Sequence, residues 1–446
     1  MDYIVKTPCG ELRGTRTDTE GVIAYKGIRY AVAGRFEYPK EVTEWEGVYD
    51  ATEYGACAYQ PRSFYREEDM PKKIFYFNEF RRGEKYTYSE DCLFLNIFAP
   101  ENGGEKLPVL IYIHGGGFTG GCANEKHFDV PVWPRKGVIG VTLNYRLGPL
   151  GFAVLPELKE EAGYTGNYGL YDQLTAISWV KNNISAFGGD PENITIMGQS
   201  AGAMSVQQHC LSPLSKGMFQ RAVMCSGGGI TKILSAPEPE KAYPFWQAVK
   251  ERVGAKTLDE LRNVPVEDIF SAWSELKKKM KGGHPTPTVD GRLIVGKGHD
   301  ILGKGAHHKI PYLIGTTSED MMPPILYSMA KKWVGAQHKD AYLWYFERNL
   351  PGDGHGAWHS SDLWYWFGTL KRCWRPFEEK DYALAEEMTD RLCAFAKYGD
   401  PNVDGYVDWE AGDKKALTLG DKETAMSKPK ALKMWYTMFT NKAPGE

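Results

Sequence analysis

The chain has 446 residues, 42% hydrophobic and 25% charged, an ordinary globular composition that excludes collagen-like and disordered readings. Its 54 Lys and Arg nearly balance 57 Asp and Glu, for a net charge of -3, so the expected partners include neither nucleic acid nor a membrane. The length allows one large core with excursions, read here as a single domain over residues 1–446.

The N-terminal "MDYIVKTPCGELRG" is charged and alternating and lacks the roughly 7–15-residue apolar core of a secretory signal. No run approaches the ~20 apolar residues that span a bilayer. Eight scattered cysteines, without the paired spacing of a zinc site, read as free buried thiols; a cytoplasmic protein without a metal site is expected. Residues 1–40 alternate apolar and polar with glycine punctuation, which predicts hairpins of a small antiparallel sheet. From residue 90 the texture changes. "CLFLNIFA", "LPVLIYIHG", "GVIGVTLNY" and "ITIMG" are short apolar runs that predict strands buried on both faces. Before the last of them, Leu170, Leu174, Ile177 and Val180 recur at helical spacing until Gly188 and Pro191 stop the run.

Strands alternating with helices predict an α/β fold, a mostly parallel central sheet with helices on both faces. "RAVMCSGG" and "IPYLIGTT" predict two more strands. The segments around 231–305 and 323–377 read as helical, cap-like insertions. In the first, "LKKKMKGG" is a solvated helix face. The second concentrates tryptophan: Trp333, Trp344, Trp358, Trp364, Trp366 and Trp374 are available either to line a gorge or to fill the core. Internal repeats are absent.

Chemistry concentrates at Gly198-Gln199-Ser200-Ala201-Gly202, at the corner where "ITIM" gives way to a helical run. This fits a nucleophile elbow, a strained turn that lifts a serine hydroxyl out of the sheet while the glycines leave room for the neighbouring chain. A serine needs a base, an orienting acid and an oxyanion site. "IHGGGF", with Gly115 to Gly117 after a buried strand, offers backbone N–H groups for a developing negative charge. In this architecture the acid and the histidine follow the serine. The later histidines are His209, His284, His299, His307, His308, His338, His355 and His359, of which His355 and His359 share a Gly-rich segment suited to a loop over a sheet edge. For the acid, Glu319 and Asp320 both follow the strand in "LIGTTSED", and spacing does not choose between them.

These residues resemble the type B carboxylesterase family, the cholinesterase-like α/β hydrolases, along nearly the whole chain. The matching stretches include "SEDCLFLNIFAP", "YIHGGGFTGG", "NYRLGPLGF", "GQSAGA", "GTTSED", "GAWHSSDLWYWFG" and "FAKYGDPN". The resemblance implies an α/β-hydrolase fold and a serine esterase. It assigns Ser200 as nucleophile, His359 as base, Asp320 as acid, and Gly116, Gly117 and Ala201 as oxyanion donors; Phe118 and Gln199 would touch substrate. An aspartate where the family keeps a glutamate is a departure: either the backbone moves closer so that the shorter carboxylate reaches the imidazole, or Glu319 serves as the acid instead. Gln199 replaces the glutamate that cholinesterases keep beside the serine, which disfavours choline esters. Cys57 and Cys92 match positions that secreted relatives join as a disulfide. A chain shorter than most relatives between 230 and 310 implies a smaller cap and a more open gorge.

The expected activity is hydrolysis of a small carboxylic ester, short-chain or aryl, without a cofactor, by a monomer or small homo-oligomer. Feruloyl esterase and lipase are the rival hydrolase readings. A non-catalytic binding module of the same fold is the rival from another class.

Overall fold

The computed structural model describes residues 3–64, 74–232, 235–337 and 340–440. Its frame is a 13-stranded sheet. Seven neighbouring strands run parallel, in the order Ile139–Leu143, Leu107–Ile113, Gly189–Gln199, Arg221–Cys225, Tyr312–Thr317, Ala341–Glu347 and Ala416–Gly420. Phe94–Pro100 pairs antiparallel on one side and Ala425–Ser427 on the other. The antiparallel N-terminal strands Tyr3–Thr7 and Gly10–Arg16 extend the sheet past Phe94–Pro100 through Val22–Arg29.

Period-two side-chain alternation divides the inner parallel strands between two cores. In Leu107–Ile113, Val109, Ile111 and Ile113 enter one core, while Leu110 and Tyr112 enter the other. The first core packs under the helices Tyr168–Asn183 and Ala201–Leu211 through Leu170, Ile177, Val180 and Val206. The second meets the helix Glu379–Tyr398 through Met388, Leu392 and Phe395. Leu174 is only half-buried. Gly188, at φ 85°, supplies the left-handed residue after the helical stretch.

Residues 231–305 hold the helices Tyr243–Arg252, Leu258–Asn263, Val266–Leu276 and Gly298–Gly303. The first three share a third apolar cluster with Leu150, Leu155 and Tyr168. Lys277, Lys278 and Lys279 are exposed, as a solvated helix end requires. Within 323–377 the structure is mixed. Pro323–Gly335 and Leu363–Phe367 are helices, but Ala341–Glu347 between them is a strand of the central sheet. Trp333, Trp344, Trp358, Trp364 and Trp366 are fully buried, so these rings fill the core, whereas Trp374 is exposed.

Candidate active site

The strand Gly189–Gln199 turns into the helix Ala201–Leu211 in a single residue, Ser200, held at φ 56°, ψ -122°. A non-glycine residue at positive φ is strained and persists only where its surroundings fix it. Sterics of the corner do so here. A Cβ on Gly198 would lie 2.3 Å from the Gly202 carbonyl oxygen, and one on Gly202 would lie 2.0 Å from that of Ile113. Ser200 N–H donates to the Cys225 carbonyl at 2.9 Å, tying the corner to the next strand. The serine itself is half-buried.

Opposite it, the loop after Leu107–Ile113 carries Gly116 at φ 111° and Gly117 at φ 62°, both exposed to solvent. The Gly116 carbonyl accepts from the N–H groups of Thr119 and Gly120, which curls the loop. Among the described residues the N–H groups of Gly116, Gly117 and Ala201 have no hydrogen-bond partner. Phe118, expected at the substrate, instead turns inward: it is 2% exposed and packs on Phe152 with ring centroids 5.0 Å apart.

Asp320 and His359 meet across 39 residues of sequence. His359 Nδ1 lies 2.5 Å from Asp320 Oδ1, and the aspartate side chain is fully buried. Met321 N–H and the Thr317 hydroxyl also donate to this carboxylate. Glu319 is turned the other way. Its carboxylate accepts from Ala357 N–H at 2.9 Å, and its own N–H donates to the Ala357 carbonyl, forming a β-bridge with Trp358. That bridge draws the two backbones together one residue before both Asp320 and His359, which is how the shorter carboxylate reaches the ring. Burial would raise the Asp320 pKa, but the imidazole outweighs it and holds the carboxyl below its usual range. Burial would likewise lower the His359 pKa, but Asp320, helped by Asp362, carries it above its ordinary value.

The second ring nitrogen, Nε2, is 3.1 Å from the Gln199 side-chain amide. Because Gln199 precedes Ser200, this contact seats the imidazole beside the elbow. Of the other histidines, His355 is in ring contact with Phe75 at 4.8 Å, with no contact to Asp320 among the described residues, and His338 lies outside the described residues.

Two features escaped the sequence reading. Asp362 is fully buried three residues past His359, and its pKa is pushed up to about 7, by burial first and by the charge of Asp320 second. Its only sequence signal is its place in "HSSDL". The helix Ile74–Phe80 lays Phe75, Tyr76 and Phe80 against Trp358, with centroids 5.0, 6.1 and 5.6 Å apart. Its Glu79 accepts from Trp364, Trp374 and Arg375, anchoring this aromatic roof beside the histidine loop. All eight cysteines are free thiols, Cys57 and Cys92 among them, and only Cys373 is not buried.

Comparison with known proteins agrees with this fold. The model of the carboxylesterase family matches residues 1–342 and 324–435. Para-nitrobenzyl esterase of Bacillus subtilis is 38% identical over 328 residues, covering 71% of this chain and 63% of that protein. Cholinesterase of Mus musculus is 33% identical over 341 residues, covering 72% and 54%. The chain thus aligns with less than two thirds of the length of either relative. A solved PNB esterase superposes with a TM-score of 0.82 at 29% identity, covering 98% of this chain and 99% of that one. A carboxylesterase of Geobacillus stearothermophilus gives 0.78 at 27% identity, covering 98% and 99%. With a serine elbow, a glycine loop and a buried histidine–aspartate pair on an α/β-hydrolase sheet, the chain belongs to the carboxylesterase family.

Proposed function

We propose that the protein hydrolyses carboxylic esters through an acyl-enzyme on Ser200. The supporting observation is the convergence at one sheet edge of a strained serine, unpartnered backbone N–H groups and an imidazole bonded to a buried carboxylate. The Gln199 contact at Nε2 fixes the useful tautomer: if the amide N–H donates there, the ring proton sits on Nδ1, facing Asp320. Substrate binding then displaces Gln199. His359 Nε2 takes the Ser200 proton as Oγ attacks the ester carbonyl, and the N–H groups of Gly116, Gly117 and Ala201 hold the oxyanion. The imidazolium, stabilised by Asp320, returns its proton to the leaving alcohol. Water, deprotonated by the same nitrogen, then releases the acid and restores the serine. These groups supply every proton and charge that the reaction uses.

Aryl and short-chain esters are the substrates this site suits. The rings of Phe75 and Tyr76 roof the histidine loop, and a neutral Gln199 beside the serine offers a quaternary ammonium no anion. The test is labelling with an organophosphate during p-nitrophenyl acetate turnover. Activity should fall in proportion to phosphorylation of the Ser200 peptide; full turnover by labelled protein, or a label elsewhere, would overturn the proposal.

A further inference from the structure

A cavity of about 1130 Å³ opens at the other edge of the sheet. Ser200 and Asp320 follow the C-terminal ends of Gly189–Gln199 and Tyr312–Thr317. Phe219, Gln220, Ile310 and Pro311, which line this cavity, precede the N-terminal ends of Arg221–Cys225 and Tyr312–Thr317. The strands are parallel, so the two places stand about one strand length apart, roughly 17–20 Å. The helix Ala201–Leu211 bridges them, starting at the serine corner and ending with Leu211 in the cavity wall.

The lining is two-sided in chemistry. Leu211, Val295, Ile301 and Ile310 give it an apolar body, and Val295 is 46% exposed. Around them stand four exposed lysines, Lys216, Lys297, Lys304 and Lys309, against one acid, Asp300. Among the described residues none of these lysines forms a salt bridge, and only Lys309 makes a side-chain hydrogen bond, to the His307 ring at 3.2 Å. Asp300 is drawn toward His299, outside the cavity lining. The negative end of the Ala201–Leu211 helix is covered: His308 N–H donates to the Cys210 carbonyl and its Nε2 lies 2.9 Å from the Ser212 carbonyl.

We propose that this cavity is a binding site for an anionic amphiphile, a long-chain carboxylate whose hydrocarbon chain lies on the apolar body and whose head meets the unpaired lysines. The volume accommodates a ligand of that size, since small-molecule pockets run to about 300–1,000 Å³. Two features select a chain with a simple head over a nucleotide. Of the rings in the wall, Phe219 and His307 are buried and His308 is packed on Phe219 with its Nε2 at the Ser212 carbonyl, so none offers an open stacking face, and among the described lining residues there is no arginine to grip a phosphate in bidentate fashion. The inference does not depend on the esterase reading.

The experiment is photocrosslinking of the full chain with a diazirine-bearing dodecanoate, with adducts mapped by peptide mass spectrometry. Adducts should fall on the segments 211–220 and 295–311, be competed by dodecanoate but not by dodecanol, and weaken as salt is raised. The double variant Lys216→Glu/Lys309→Glu, both exposed positions, should lose labelling by about tenfold or more with an unchanged melting temperature. Adducts confined to the Ser200 cleft, or labelling indifferent to the double variant, would overturn the proposal. Equal competition by dodecanol would remove the role of the lysines, and competition by anionic phospholipid vesicles but not by monomeric dodecanoate would reassign the face to a membrane.

Discussion

The two sides of the proposed site, nucleophile and acid–base pair, are built on different physics. At Ser200 the geometry is held by backbone sterics: glycines at 198, 202 and 227 sit where any Cβ would meet a carbonyl oxygen within 2.4 Å. At His359 it is held by buried side-chain charge: Asp320 grips the ring, Glu319 clamps the neighbouring backbone, and Asp362 is packed close by. A steric site fails when an atom is added. An electrostatic one fails when a charge is removed, and its failure depends on pH.

The largest expected effect removes the nucleophile. Ser200→Ala should lower kcat for p-nitrophenyl acetate by about a millionfold, the order of loss that removing a nucleophilic serine causes, without changing the melting temperature; turnover at the parent rate would contradict the acyl-enzyme route. Next comes the acid. Asp320→Asn should lower kcat by about 10⁴-fold, because an amide cannot hold the Nδ1–H tautomer or balance the imidazolium. Glu319→Gln keeps a carbonyl acceptor for Ala357 N–H and should lose far less. If the two losses came out equal, the division of labour between these carboxylates would be wrong.

The steric side is tested by Gly202→Ala. Its Cβ would sit 2.0 Å from the Ile113 carbonyl oxygen, so strand and helix must part. A loss of about 1–3 kcal/mol from urea unfolding is expected, together with roughly a hundredfold loss of rate from the displaced hydroxyl. Unchanged stability would show that the corner has slack.

The same contrast explains how much was legible in the sequence. Sterics writes itself locally: Gly-x-Ser-x-Gly after an apolar strand, and three glycines after another, are short motifs whose geometry follows from missing Cβ atoms. The parallel strands were legible for a similar reason, because burial on both faces leaves unbroken apolar runs such as "VLIYI". Charge networks are assembled from distant residues. Spacing left Glu319 and Asp320 equivalent; the bridge between Glu319 and Trp358, which separates their roles, forms only when residues 39 positions apart pair. The aromatic roof was hidden likewise, since Ile74–Phe80 gains its meaning from Trp358 and Glu79 from Arg375, both nearly 300 residues downstream. Ala341–Glu347 fell inside an expected insertion because its "YLWYF" aromatics do not distinguish a sheet strand from a cap.

The smallest effect is the most diagnostic of the electrostatic side. Turnover needs a neutral imidazole, and Asp320 raises the His359 pKa, so kcat/KM should fall with decreasing pH through an inflection above the ordinary histidine value of about 6.5. Asp362 titrates near 7, and its anion favours the imidazolium, so it contributes to that upward shift wherever it is ionised. Asp362→Asn removes the charge and leaves an acceptor for Trp366 Nε1, which now donates to Oδ2 at 3.2 Å. The His359 pKa should then drop, and the acidic limb should move to lower pH by a fraction of a unit while the plateau rate changes little. A merely structural role for Asp362 predicts a lower plateau with the limb in place. A limb that moved to higher pH would mean that its carboxyl stays protonated and acts as a donor instead.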